Sequence, residues 1–319
     1  MAAPSQREFA TAGPTHARTA GERWAALPAA YAIPDVAPSI SESQRYCRAL
    51  AQTHYENFSV ASWFLPKHLK QHFYNVYAYC RISDDLGDET GNPEHSLALL
   101  DEWEHELNEC YEGEPRHPVL VALRQTVREL EVPKGPFADL LTAFRRDQSV
   151  KRYQTFQDLL GYCRYSANPV GRLVLYVCGY RDAERQQLSD STCTALQLAN
   201  FWQDVAVDYA KGRIYIPLED MNRFGVDEAV LASGRATSKF LELMRFEVER
   251  AREWFGRGLP LVRKVEEALA IDIELFSRGG LEILNVIEGQ GFDVLSKRPA
   301  ISKGRKLLLV LRAAREKLF

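Results

Sequence analysis

The sequence predicts an all-α fold in a single domain, and three observations carry that expectation. Apolar residues recur at i, i+3, i+4 and i+7 through most of the chain from residue 39 onward. Sustained alternation of Val, Ile and Thr, which half-buried strands need, is missing. Prolines such as Pro66, Pro93, Pro118, Pro136 and Pro217 punctuate the helical runs instead of interrupting them. At 319 residues the chain is long enough to bury a sizeable core, and it contains no internal repeat or linker that would divide it.

Taken in order, residues 1–38 read as a flexible arm, because Pro4, Pro14, Pro28, Pro34 and Pro38 lie there among Ala, Ser, Thr and Gly. The folded domain is expected over 39–319. Ser39 with Glu42, or Ser41 with Gln44, has capping-box spacing ahead of the helical run RYCRALAQTHYENF. A second helix is expected from about Lys67 to Glu89, and a third through STCTALQLANFWQDVAVDYA. The tail from Lys297 to Phe319 is basic and includes the apolar stretch Leu307 to Leu311. It fits either a helix packed on the domain or a membrane-surface contact.

Composition removes several function classes. A net charge of -3 lacks the cationic surplus that nucleic-acid binding requires. The six cysteines are widely spaced with no C-x-x-C, so reduced thiols in a cytoplasmic protein are expected, not a zinc or redox centre. No apolar run reaches the roughly 18 residues of a spanning helix, leaving at most a peripheral membrane contact.

Two acidic stripes do not behave like solvated surface. At about 100° per residue, Phe73, Tyr77, Cys80, Arg81, Asp84 and Asp88 share one face, so the acids continue an aromatic, core-facing stripe. On the later helix Gln197, Asn200, Phe201, Asp204 and Asp208 cluster in the same way, while apolar residues cover every other direction. Carboxylates buried without partners are costly, so something cationic must face them: protein bases, protons or metal ions. Oxygen-only donors with no His or Cys close in sequence suit Mg²⁺, which keeps waters and bridges carboxylates to phosphates. A di-iron carboxylate centre would need two helical Glu-x-x-His pairs. Glu102 to His105 supplies one, but Glu114 to His117 contains Pro115 and reads as loop. Arg81 sits within the first stripe, and Lys211, Arg213 and Tyr215 follow the second. Metals on one side and cationic donors on the other describe a site for a diphosphate.

These residues, D84-D-L-G-D-E89 and Q203-D-V-A-V-D208 with Asn200 upstream and K211-G-R-I-Y-I-P217 downstream, resemble the squalene and phytoene synthase family. The likeness extends over FLP at Phe64 to Pro66, YAYCR at Tyr77 to Arg81 and FDVLSKR at Phe292 to Arg298. It implies the isoprenoid synthase (class I terpenoid synthase) helical fold, with both motifs at the mouth of a central apolar cavity. It further implies Mg²⁺ held by Asp84, Asp88, Asn200, Asp204 and Asp208, with Asp85 beside them, and a prenyl or triterpenoid diphosphate gripped by Arg81, Lys211, Arg213 and Tyr215. Asn57, Phe58, Phe73, Tyr77, Gln197 and Phe201 are the expected substrate contacts, and Tyr162 a catalytic one. Aromatic faces there would suit the cation left by departing diphosphate.

Departures from the family pattern narrow the expectation. Glu56 stands where a cation is common, Gln203 replaces an Arg, and Gly279 and Gly280 occupy a region where squalene-forming relatives often carry Tyr. The segment G161-Y-C-R-Y-S-A-N-P-V-G171 replaces V-A-G-x-V-G and is expected to break the helix at Asn168 and Pro169 and line the cavity. The combination E-N-F, S-A-N-P-V-G and W-Q-D-V looks most like the hydroxysqualene synthase branch of the bacterial hopanoid route. That branch ionises presqualene diphosphate and traps the cation with water, for which Asn168 and Gln203 are the expected holders. A head-to-head synthase joining two prenyl diphosphates and a non-catalytic membrane-surface protein stand as alternatives.

Overall fold

The computed structural model describes residues 31–53, 66–302 and 304. Among these there is no strand, only one isolated bridge between Arg152 and Ile214. The helices are α1 (Ile40–Thr53), α2 (Lys70–Asp88), α3 (Pro93–Glu112), α4 (Pro118–Glu129), α5 (Gly135–Asp147), α6 (Phe156–Ser166) and α7 (Asn168–Val177). They continue as α8 (Ala183–Gln203), α9 (Val205–Ala210), α10 (Leu218–Phe224), α11 (Glu228–Ser233), α12 (Ser238–Gly258) and α13 (Glu267–Gly289). A single 3₁₀ turn, Leu259–Arg263, joins the last two.

Local chemistry sets the helix ends. Asn92 accepts from the His95 N–H at 3.0 Å with Pro93 in the first turn of α3, and Thr155 with Asp158 completes a capping box on α6. Ahead of α1, Ser39 and Glu42 make the expected reciprocal bonds. The helix starting at Asn168 confirms the break that Pro169 demands, with Ala167 as the joint.

Two large apolar cores fill most of the domain, with a small third cluster of Leu175, Leu261, Leu269 and Ile273. One lies among α1 to α5 and α7, the other among α6 and α8 to α13. Helix α2 belongs to the first core and α8 to the second, so the two acidic stripes face each other across the seam between them. The back of α2 is pinned by polar bonds at four-residue spacing. Asn75 donates to the Ala122 carbonyl of α4 (3.0 Å), Tyr79 to the Phe137 carbonyl of α5 (3.1 Å), and Ser83 accepts from the Trp103 indole of α3 (2.9 Å). With three neighbours holding that side, the acidic side is left to the seam. Helix α7 approaches α8 closely at Gly171, where an added Cβ would lie 2.3 Å from Ser189 Oγ.

One expected boundary is corrected. Tyr31, Ala32 and Ile33 pack into the first core, and Tyr31 is buried, so the domain begins by Tyr31 and not at residue 39. Residues 1–30, the E-N-F segment with Glu56, Asn57 and Phe58, and the tail beyond residue 304 lie outside the described residues.

Candidate active site

Along α2 the predicted stripe runs continuously from grease to acid. Phe73, Tyr77 and Cys80 line an apolar cavity of about 350 Å³, closed on other sides by Val174, Leu196, Leu261 and Ile273. One turn on, Tyr77, Cys80, Arg81, Asp84 and Asp88 line an adjoining polar cleft of about 420 Å³. Tyr77, Cys80 and Val170 line both spaces, so they meet at that wall. Gln197, Asn200, Phe201, Asp204 and Asp208 face Asp84 and Asp88 across the cleft. Helix α8 ends at Gln203 and α9 begins at Val205, yet the Asp204 N–H still bonds the Asn200 carbonyl (3.0 Å) and Asp208 that of Asp204 (2.8 Å). The motif therefore keeps its four-residue register through the break, and both acids stay on one side.

The cationic donors close over the acids. After α9 the chain reverses at Gly212, whose φ of +79° favours glycine, and the Arg213 N–H returns to the Asp208 carbonyl at 2.8 Å. From there Arg213 forks onto Asp88 at 2.7 and 3.3 Å. Arg298 forks onto Asp204, through Nη2 at 3.1 Å and through Nε. Arg81 approaches Asp84 at 3.6 Å. Each acidic motif is thus neutralised in part by guanidinium groups, as its burial requires.

The remaining carboxyls bear the cost of crowding. Burial pushes Asp84 up to about 6, with Asp88 repulsion next, although half of its side chain opens to the cleft. Asp208 rises to about 6 through burial and then Asp204. These groups hold protons in the folded chain at pH values where the unfolded chain, titrating near 3.8, has lost them. Their contribution to stability therefore falls as pH rises from about 4 to about 6. Metal-free protein should accordingly melt higher near pH 5 than near pH 7.5. Added Mg²⁺ should raise the melting temperature at pH 7.5 more than at pH 5. A metal response independent of pH would contradict this assignment.

The donor set fits Mg²⁺. It consists of carboxylate and amide oxygens from Asp84, Asp88, Asn200, Asp204 and Asp208; no imidazole among the described residues lines the cleft, and its one thiol, Cys80, sits at the wall shared with the apolar cavity. Among the described residues no three carboxylates converge tightly enough to hold one ion alone. Opposed single carboxylates leave coordination positions for waters and phosphate oxygens, the arrangement this ion favours.

Aromatic rings floor the cleft. Phe201 stacks on Tyr215 with centroids 3.9 Å apart, and Tyr162 leans on both. The Tyr162 hydroxyl donates to Asp147 at 2.8 Å. Asp147, at the end of α5, escaped sequence reasoning, as did Lys151 one turn later and Arg298. Burial raises the Asp147 carboxyl to about 6 against the opposing Tyr162 bond, and burial lowers the Lys151 amine. RRDQSVKRY carries no acidic spacing, so nothing marked these residues. Arg298 lay within FDVLSKR but had no partner to name it.

Several expected site residues are placed elsewhere. Asp85, about 100° around α2 from Asp84, does not line the cleft, and its carboxylate is taken up by Tyr31 and Arg81. Asn168 is buried and accepts from Thr194 at 3.0 Å, and Gln203 donates to the Pro299 carbonyl at 2.7 Å. Neither lines the cavity or the cleft: the break at Ala167 turns Asn168 toward α8, and Gln203 lies on the side of α8 facing the C-terminal segment. From the S-A-N-P stretch it is Ser166 that lines the cleft. Lys211 is exposed beyond the rim, where its charge lowers the Asp208 carboxyl without lining the site. His105 is exposed, as its helical position suggests. At Gly280 an added Cβ would lie 2.4 Å from the Phe255 ring, so a tyrosine has no space there.

The comparisons with known proteins agree with this geometry. The sequence profile described as squalene/phytoene synthase matches residues 51–305. The 15-cis-phytoene synthase of Synechococcus elongatus is 30% identical over 281 residues, covering 84% of this chain and 91% of that protein. The crystal structure of the squalene synthase HpnC from Alicyclobacillus acidocaldarius is 43% identical, with a TM-score of 0.76 over 85% of this chain and 98% of that one. A dehydrosqualene synthase solved with a ligand is 29% identical, with a TM-score of 0.79 over 88% of this chain and 98% of that one. Two facing acidic motifs at the mouth of an apolar cavity, carried on a helical fold matched across most of its length, place this chain in the squalene/phytoene synthase family.

Proposed function

We propose that this protein ionises a prenyl diphosphate and couples or rearranges the resulting cation to a long isoprenoid, as a head-to-head synthase does. The observation that carries this reading is the junction of an acidic, arginine-rimmed cleft with an apolar cavity at Tyr77, Cys80 and Val170. A substrate with a diphosphate head and a hydrocarbon tail fits both spaces at once. Neither a polar metabolite nor a plain lipid does.

Arg213 and Arg298 donate to the diphosphate oxygens, exchanging their present carboxylate partners for phosphate, and Arg81 donates through the nitrogen that faces Asp84 while Asp85 keeps its other side. Mg²⁺ held by Asp84, Asp88, Asn200, Asp204 and Asp208 would supply Lewis-acid neutralisation of the leaving diphosphate. The stacked Phe201 and Tyr215 with Tyr162 offer π faces to the carbocation, and the apolar walls exclude water from the tail. The Tyr162 hydroxyl is held by Asp147, which orients the ring for that purpose.

A second reading is the conversion of presqualene diphosphate to hydroxysqualene. It is favoured by polar groups at the reacting space, Ser166 and Gln197, which could hold a water. Product analysis decides between the two. Farnesyl diphosphate with Mg²⁺ should give turnover for a head-to-head synthase. A tertiary or allylic alcohol from presqualene diphosphate without NADPH, with no turnover of farnesyl diphosphate, would assign the second reading. On that outcome, Ser166→Val and Gln197→Leu should shift product toward hydrocarbons. Asn168→Leu and Gln203→Leu should not, although losing the buried Thr194 partner costs Asn168→Leu about 1–3 kcal/mol of stability.

A further inference from the structure

The second aspartate of the first acidic motif has a task other than metal binding. Asp85 is buried, with 7% of its side chain exposed, and both carboxylate oxygens are occupied from behind the site. Its Oδ2 accepts from the Tyr31 hydroxyl at 2.6 Å and from Arg81 Nε at 3.1 Å, while its Oδ1 accepts from Arg81 Nη2. This fork occupies two of the five N–H donors of Arg81 and fixes the plane of the guanidinium. What remains, including both protons on Nη1, lies on the side of Asp84, 3.6 Å away, at the cleft wall. A free arginine loses rotamer freedom when it binds an anion; one already locked by a carboxylate loses less.

Tyr31 is the only described element of the N-terminal segment that touches this device, and its ring is embedded in the first core. Its hydroxyl shares Oδ2 of Asp85 with Arg81 Nε and so braces the carboxylate in the plane of the fork. Losing it would leave the buried Oδ2 with Arg81 Nε as its one partner and loosen the carboxylate that sets the fork.

We propose that Tyr31 and Asp85 form a positioning pair that presents the Arg81 guanidinium to the substrate diphosphate, so that the segment preceding α1 tunes head-group affinity from outside the cleft. The inference rests on the diphosphate reading of the site. It separates the two adjacent aspartates by role: Asp84 faces the cleft, and Asp85 holds the arginine.

The test is a double-mutant cycle on the full chain, read as the affinity for inorganic diphosphate in the presence of Mg²⁺ by titration calorimetry, with melting temperature recorded in parallel. Tyr31→Phe removes only the hydroxyl and should weaken diphosphate binding about fivefold to tenfold, the scale of one bond to a charged group. Asp85→Asn should do at least as much. In an Arg81→Lys background, where no fork can form on Asp85, Tyr31→Phe should have no further effect on binding. A purely structural tyrosine would lower the melting temperature and affect binding equally in both backgrounds, and that result would overturn the positioning role. If Asp85→Asn does not fold, the Tyr31→Phe pair of measurements decides alone. Wild-type protein that binds no diphosphate at all would overturn the diphosphate reading along with this inference, whereas binding with an additive cycle overturns only the inference.

Discussion

Asp84→Asn and Asp208→Asn are each expected to cut turnover by roughly a hundredfold or more while raising the melting temperature of the metal-free protein at pH 7.5. The two effects have one cause. Both carboxyls are pushed up to about 6 by burial and by a neighbouring aspartate, so at pH 7.5 the folded chain holds charges that it disfavours. Asparagine keeps the shape and removes the charge, which relieves the fold and deprives the cleft of a carboxylate that the proposed Mg²⁺ would need. Asp88→Asn and Asp204→Asn should lose activity similarly but melt lower, because each abandons an arginine fork, Arg213 or Arg298. Calorimetric melting with EDTA, set beside turnover with Mg²⁺, checks all four. Wild-type activity in any two would remove the metal assignment, and a uniform fall in melting temperature would mean that the carboxylates serve the fold.

Arg213→Lys is expected to lower kcat/KM by about tenfold to a hundredfold even though the charge is retained. A planar fork reaches Asp88 through two nitrogens in the present structure and matches two oxygens of a diphosphate in the same plane. An ammonium offers a point charge and cannot span either pair. The loss should fall on both KM and kcat, since the group binds the head in the ground state and neutralises it as it leaves. Unchanged affinity and rate in Arg213→Lys would reduce the guanidinium to a surface partner of Asp88.

The helical fold was legible because helix signals are local. The cap of Ser39 with Glu42, prolines in first turns, and a 3.6-residue stripe are all written within a few positions of one another. The acidic faces were legible for the same reason: four-residue spacing fixes which side of a helix a residue takes, and Asp84, Asp88, Asp204 and Asp208 took the sides that spacing dictates.

Proximity across the seam was not local, and only the tertiary structure decided it. Asp147 lines the cleft from a helix end, Lys151 bonds its carbonyl from a loop, and Arg298 grips Asp204 from a C-terminal segment, positions that share no periodicity with the motifs they meet. Asp85 adjoins Asp84 in sequence, but one residue along a helix is 100° of rotation, and that angle turns it toward Tyr31 and out of the cleft lining. The sequence suggests a water at the cavity wall held by Asn168, beside the Pro169 break, or by Gln203, ahead of the second acidic motif. The break instead turned Asn168 onto Thr194, and Pro299, 96 residues downstream of Gln203, claimed that amide. By itself the sequence determined which residues share a face, because backbone geometry sets rotation per residue. The packing of two separate cores determined which faces meet and what each buried polar group must satisfy.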